Sequence, residues 1–206
     1  MKILVIGKSK HLYDAINRIY FGSEICCMSW RNDLFTNIKK EQMKYDLIFV
    51  VGYHYGSYMM NYDEFTKVNV DNPLTLLKEL CKKSPTIVYV STKTSKYEYT
   101  FSRYQYAKEK LAFEILKQYE NSYVIRFNTF VDEKNKLLIN GSIASRIVME
   151  FLIKLKVVKI ISIQEIIDQI SDFRVNGNKE SKIIKGVLLK IPRSQFTDRL
   201  LRLIFG

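Results

Sequence analysis

Tyr45–Gly52 reads YDLIFVVG, an apolar run held between a polar start and a glycine. Such a run, with no polar alternation, is the pattern of a strand covered on both faces. Working outward, three similar runs flank it. Lys2–Ile6 ends in Gly7, Thr86–Val90 (TIVYV) is closed by Ser91 and Thr92, and Tyr123–Phe127 reads YVIRF. Glu24–Trp30 gives a further strand. Between these runs the apolar period changes. His11–Tyr20 places Leu12, Ala15, Ile16 and Ile19 at helical spacing. Glu64–Lys82 reads as a helix that begins or kinks at Pro73, and Phe101–Glu120 as a longer one. Strands alternating with helices at this spacing predict a parallel sheet with helices on both faces. Ligands of such sheets sit at the carboxyl ends of the strands, and Gly7, Gly52, Ser91 and Arg126 all fall there.

The helix over Phe101–Glu120 contains YQYAKEKLAFE, Tyr104–Glu114. Tyr106 and Lys110 stand four residues apart, on one helix face. An ammonium beside a phenol favours the phenolate, and a phenol tuned in this way can exchange a proton with a substrate hydroxyl or carbonyl. The plainer reading is a half-buried tyrosine and a solvated lysine.

Composition sets the outer limits. The chain has 206 residues, 47% of them hydrophobic, and a net charge of +12. That length supports one domain, or one domain with a small annex. Met1–Gly7 has too short an apolar run for a secretory signal, and no apolar stretch reaches the roughly 20 residues that span a bilayer. Cys26, Cys27 and Cys81 lack metal-ligand spacing and read as reduced core residues of a cytoplasmic protein. His11 and His54 have no partner pattern, so no metal site is expected. The positive charge is spread along the chain without a nucleic-acid-binding motif. It suits phosphate-bearing small molecules or an anionic membrane surface better than nucleic acid.

Six stretches, in order over residues 1 to 132, carry a family resemblance. They are KILVIG, YDLIFVVG, Val68-Asn69-Val70, IVYVST, YAKEKLAFE and VIRFNTFV. Together they resemble the short-chain dehydrogenase/reductase superfamily, and within it the extended branch of sugar-nucleotide epimerases, dehydratases and 4-keto reductases. The fold this implies is α/β: a Rossmann-like doubly wound parallel sheet over residues 1–132. A reduced C-terminal substrate lobe over residues 133–206 would follow.

The resemblance also implies roles. Tyr106 would be the general acid/base, and Lys110 would hold the cofactor ribose and lower the phenol's pKa. Thr92, or Ser91 beside it, would bind the reacting substrate oxygen. Gly7, Lys8, Ser9, Lys10, Leu12, Arg31, Gly52 and Asn69 would contact the cofactor, and Arg126 and Asn128 the substrate. Read without the resemblance, Ser91 and Thr92 simply end a strand, Asn69 caps a helix and Arg126 joins a structural ion pair. The cofactor implied is NADP or NAD. Arg31 would suit a 2′-phosphate and tips the choice to NADP.

Departures from the pattern matter. The family's glycine loop would place glycines where this chain has Gly7, Lys10 and Tyr13. Either Lys8, Ser9 and Lys10 grip phosphate by charge and hydroxyl at the helix N-terminus, or dinucleotide binding is lost. Fewer than 100 residues follow Lys110. They hold a loop over Asp132–Gly141, a helix over Ser145–Leu155 and a strand over Val157–Ile161. A helix over Ser162–Ile170 follows, capped by Ser162 with Glu165 three residues on. Arg174–Glu180 reads as a turn.

In Ile191–Gly206, Phe196, Leu200, Leu203 and Ile204 share one helical face. This helix either packs on the body or lies on the inner membrane face. From residue 151 onward there are 11 Lys+Arg and 5 Asp+Glu, a surplus of 11 − 5 = +6. The functional expectation is an NAD(P)-dependent oxidoreductase or epimerase acting on a nucleotide- or lipid-linked sugar in surface polysaccharide biosynthesis. The alternative is a non-catalytic relative that keeps the fold and acts as a binding or partner subunit. The resemblance also implies a homodimer, in which the helices beside the active site would pair through Leu74, Leu77 and Leu80 with Leu111, Ile115 and Leu116.

Overall fold

A computed structural model of the chain describes residues 1–7, 9–29, 44–54, 60–81, 85–92, 99–100, 103–131, 137–138, 143–156, 159–176 and 186–187. Five strands form one parallel sheet: β1 (Lys2–Ile6), β2 (Glu24–Met28), β3 (Leu47–Val50), β4 (Thr86–Thr92) and β6 (Ser122–Phe127). Their order is β2-β1-β3-β4-β6. The chain therefore turns outward on both sides of β1, and the crevice between the ends of β1 and β3 is the switch point of the sheet.

The apolar runs form strands because both faces are covered. Ile3, Val5, Phe49, Val88, Val90 and Phe127 meet Leu12, Ala15 and Ile16 of α1 (Lys10–Ile19) on the first face. On the second face Leu4, Ile6, Ile48, Ile87 and Tyr89 meet two further helices. These are α3 (Asn72–Leu80), which contributes Leu76 and Leu77, and α4 (Arg103–Gln118), which contributes Leu111, Ala112 and Ile115.

Strand β2 is the exception, because it lies at the sheet edge. Cys27 on it is exposed, and Cys26 and Cys81 are half-buried. The expectation of three core cysteines is therefore corrected at Cys27. All three are free thiols.

Pro73 stands in the first turn of an α-helical segment that begins at Asn72, as expected, but that segment continues an earlier helix. The helix begins at α2 (Tyr62–Thr66), where Asn61 and Glu64 cap each other's backbone N–H groups. It passes through a π turn over Lys67–Asp71, where the Asn72 N–H reaches back to the Lys67 carbonyl, and continues as α3. The widened turn makes room for the proline ring, which would otherwise meet the carbonyl four residues earlier.

Beyond β6 the chain adds β7 (Thr129–Phe130), α5 (Ile143–Lys154), β8 (Ile160–Ile161) and α6 (Ile163–Asn176). β8 pairs with β7, and Ile161, Ile166 and Ile170 are buried in the first-face core beside α1. Residues on the two sides of position 132 thus share that core. The expected cap is present: Ser162 Oγ accepts from the Glu165 N–H at 3.2 Å, and Glu165 accepts from the Ser162 N–H at 2.7 Å. The helix runs on to Asn176, past its expected end at Ile170. A two-residue strand β5 (Tyr99–Thr100) pairs with β9 (Gly186–Val187).

Of the leucine-rich surface expected for a dimer, Leu77, Leu111 and Ile115 are consumed by the chain's own core. Leu74, Leu80 and Leu116 are half-buried. Lys8, Arg31, the stretch 31–43 and the helix expected over 191–206 lie outside the described residues. Among the described residues no helix is long and apolar enough to cross a membrane.

Candidate functional site

The site is built where the strands end. Gly7 follows β1 with φ of 115°, a left-handed conformation that favours glycine, and its N–H donates to the Met28 carbonyl at 2.8 Å. α1 begins three residues later. Ser9 is its N-cap, makes no side-chain capping bond, and no acid stands in the first turn. A ten-residue helix that opens in this way presents N–H groups and a positive dipole end to an anion. At the positions of the two missing glycines, Lys10 is exposed and Tyr13 packs against the first-face core. The Tyr13 ring is thus taken up by the core, and the N–H groups at the start of α1 are what a diphosphate would meet. Leu12 is buried in that same core, so only its backbone faces the turn.

At the end of β3 the chain runs Val51-Gly52-Tyr53-His54. The His54 N–H donates to Asn69 Oδ1 at 2.9 Å, and Asn69 Nδ2 donates to the Phe65 carbonyl at 3.1 Å. Asn69 is buried inside the π turn. It is not a helix cap. It ties the helix to the loop after β3.

Helix α4 brings two ionised groups into the same edge. Glu109 is buried and receives Ser91 Oγ–H at 2.7 Å, Arg126 Nε–H at 3.2 Å and Arg126 Nη2–H at 2.8 Å. Ser91 and Arg126 sit opposite each other on β4 and β6, so one carboxylate closes both strand ends. The ion-pair reading of Arg126 is thereby realised.

Lys108 is 4% exposed. Its Nζ donates to the carbonyls of Val90 at 2.9 Å and Gly52 at 3.2 Å. The same nitrogen lies 5.0 Å from the Tyr89 ring centroid and 5.9 Å from that of Tyr104. Burial pulls the Lys108 ammonium down to about 7, with Glu109 acting the other way. Burial likewise pushes the Tyr89 phenol well above its usual value, and Tyr104 and Glu109 add to that push.

Of the expected catalytic set, Ser91 and Thr92 stand at the end of β4, Ser91 buried and Thr92 half-buried. Tyr106 and Lys110 are half-buried, with Lys110 Nζ 5.8 Å from the Tyr106 ring centroid. Tyr106 packs against the cluster of Phe65 and Val70, and its ring lies 6.0 Å from that of Tyr62 on α2. Asn128 follows β6 and is half-buried. Lys108, Glu109 and Tyr104 are additions that sequence reasoning passed over. The signal was present: Tyr104 and Lys108 repeat the four-residue spacing, and Lys108 and Glu109 stand among the apolar positions Ala107, Leu111 and Ala112. Among the described residues no cluster of His, Cys, Asp and Glu could hold a metal ion.

No protein-family profile matches the chain, and no curated protein matches it in sequence. Solved structures do match it. An ADP-L-glycero-D-manno-heptose-6-epimerase from Helicobacter pylori superposes with a TM-score of 0.52 at 15% identity, over 85% of this chain and 73% of that one. An L-threonine dehydrogenase from Phytophthora infestans gives 0.56 at 13% identity, over 85% and 72%. A GDP-L-fucose synthetase from Naegleria fowleri bound to NADP gives 0.55 at 11% identity, over 84% and 68%. At these identities the likeness is one of fold. The chain shares the Rossmann-like architecture of these structures.

Proposed function

We propose that the chain is an NAD(P)-dependent oxidoreductase or epimerase acting on a nucleotide- or lipid-linked sugar in surface polysaccharide biosynthesis. One observation carries this reading. The fold gathers the Gly7 turn, Gly52, the Ser91–Thr92 strand end and the phenol- and ammonium-bearing half of α4 along a single edge of the sheet. A bound nicotinamide dinucleotide would supply hydride exchange with a sugar carbon. The residues that would hold it are Gly7, Ser9 and Lys10 at the α1 N-terminus, together with Gly52, while Asn69, buried and bonded to His54 and Phe65, would position the loop after Gly52. Lys8 and Arg31, outside the described residues, complete that set, and Arg31 favours NADP.

The chain's own groups then handle the proton. Thr92 would hold the substrate oxygen, and a phenol of α4 would give or take the proton there, its charge balanced by a lysine one turn along. Tyr106 with Lys110 is the pair that the motif selects. Arg126 and Asn128 would face the sugar. A cytoplasmic protein of this charge could work at the inner membrane face through residues 191–206, and as a homodimer.

A second reading has its own support. Lys10 and Tyr13 replace two loop glycines, and the Ser91 hydroxyl is committed to Glu109. Both favour a relative that binds without catalysing, as a partner or sensor subunit. Titration calorimetry with NADPH and NADH at several salt concentrations separates the two. The enzyme reading expects micromolar binding that survives moderate salt, with NADPH the tighter ligand. No heat from either cofactor removes hydride chemistry and leaves the binding-subunit reading.

A further inference from the structure

We infer that the proton-handling pair of α4 is Tyr104 with Lys108, and not the motif-matched Tyr106 with Lys110. The inference rests on the enzyme reading for its purpose, but the pairing itself is a matter of helix phase.

Successive residues of an α-helix are about 100° apart, so two pairs offset by two residues point to nearly opposite sides. The lysines divide accordingly, Lys108 buried at the strand ends and Lys110 half-buried beside the Tyr106 ring, while both phenols border the cluster of Tyr53, Phe65 and Val70. The buried residues of α4 are Ala107, Lys108, Glu109, Leu111, Ala112 and Ile115. Tyr104 lies one turn ahead of Lys108. Its ring meets Tyr53, the residue after Gly52, edge-on at 4.7 Å. Lys108 then reaches past it to the carbonyl of Gly52, two residues beyond β3, and to that of Val90, two residues before the end of β4. Tyr106 instead points to α2, and Lys110 follows it.

The inner pair therefore stands where a ligand at the sheet's carboxyl edge would lie. The outer pair stands between helices. In the chemistry proposed, the Tyr104 phenol passes its proton to the substrate oxygen, and the Lys108 ammonium balances the phenolate left behind. In the reverse direction the phenolate takes the proton back.

The titratable groups around the pair are Tyr53 beyond β3, Tyr89 on β4, Glu109 on α4 and Arg126 on β6. Glu109 and Arg126 neutralise each other, and burial holds Tyr89 protonated. Lys108, brought down to about 7 by burial, changes charge near neutral pH.

The deciding experiment is a carbon-13 NMR titration of ring-labelled tyrosines on the full chain without cofactor, from about pH 6 to about pH 8.5. Assignment uses Tyr104→Phe and Tyr106→Phe. The Tyr104 resonance is expected to move with a midpoint near 7 as Lys108 loses its proton, and Lys108→Met is expected to abolish the movement. A transition carried by Tyr106 and removed by Lys110→Met overturns the inference. So does a Tyr104 resonance that stays flat in the wild type, which needs no variant to fold. NADPH calorimetry on Lys108→Met supplies the link to function, with about a tenfold loss of affinity expected. Unchanged affinity there overturns the functional half of the inference. Absent NADPH binding in the wild type would instead reject the enzyme reading and leave the NMR result to judge the pair.

Discussion

Lys108 shows what the site costs at the scale of one residue. Its value is 10.5 in an ordinary lysine and about 7 in the folded chain. Between those values the unfolded chain binds a proton that the folded chain has released. Stability therefore rises with pH across that window, and below about 7 the full penalty of the buried ammonium is present. Lys108→Met keeps the volume and removes the charge. It should be more stable than the wild type at about pH 6.5, by on the order of 1 to 3 kcal/mol, and the difference should close towards pH 10. Chemical denaturation at both pH values checks this, and a wild-type stability that is flat across the window would count against it. A destabilising buried charge at the mouth of the sheet fits a functional group better than a structural one.

At the scale of elements, Glu109 is the joint between α4, β4 and β6. One buried carboxylate accepts three hydrogen bonds, from Ser91 and from the Nε–H and Nη2–H on one edge of the Arg126 guanidinium. Glu109→Ala leaves a half-desolvated arginine opposite a cavity and should cost about 3 to 5 kcal/mol. Ser91→Ala removes one hydroxyl and should cost about 1 kcal/mol. A double-mutant cycle on the two should return a non-zero coupling. Additive losses would mean that the carboxylate does not depend on the serine. The helix before it shows the same economy. The π turn ahead of Pro73 places Asn69 so that a single side chain satisfies Phe65 and His54 together.

For the whole molecule, the question is whether the chain after residue 132 is a separate body. Ile166 is fully buried in the first-face core beside Ile16 of α1 and Phe127 of β6. Ile166→Ala should therefore destabilise the entire protein by about 2 to 5 kcal/mol, with one cooperative transition followed by both circular dichroism and tryptophan fluorescence. Two separated transitions, with only the later one at the wild-type midpoint, would show that the C-terminal part unfolds alone. The charge of +12 belongs to this scale too. It raises the local concentration of anionic ligands over the whole surface without choosing among them.

The sequence by itself determined the sheet and the layers. Uninterrupted apolar runs such as LVI and LIFVV have only one stable home, a strand covered on both sides, and the 3.6-residue period of Leu12, Ala15 and Ile16 fixes the face of α1. It also determined the cap at Ser162, because a capping box is a local exchange of two hydrogen bonds. Only the tertiary structure decided what lies on the charged side of the site. The spacing of YQYAKEK is the same for both tyrosine–lysine pairs, so phase was legible only once α4 was laid against β4. Cys27 looked like core because residue type alone does not say that β2 is an edge strand. Asn69 looked like a cap because the π turn that encloses it arises from packing around Pro73 and the loop after β3, not from local preference.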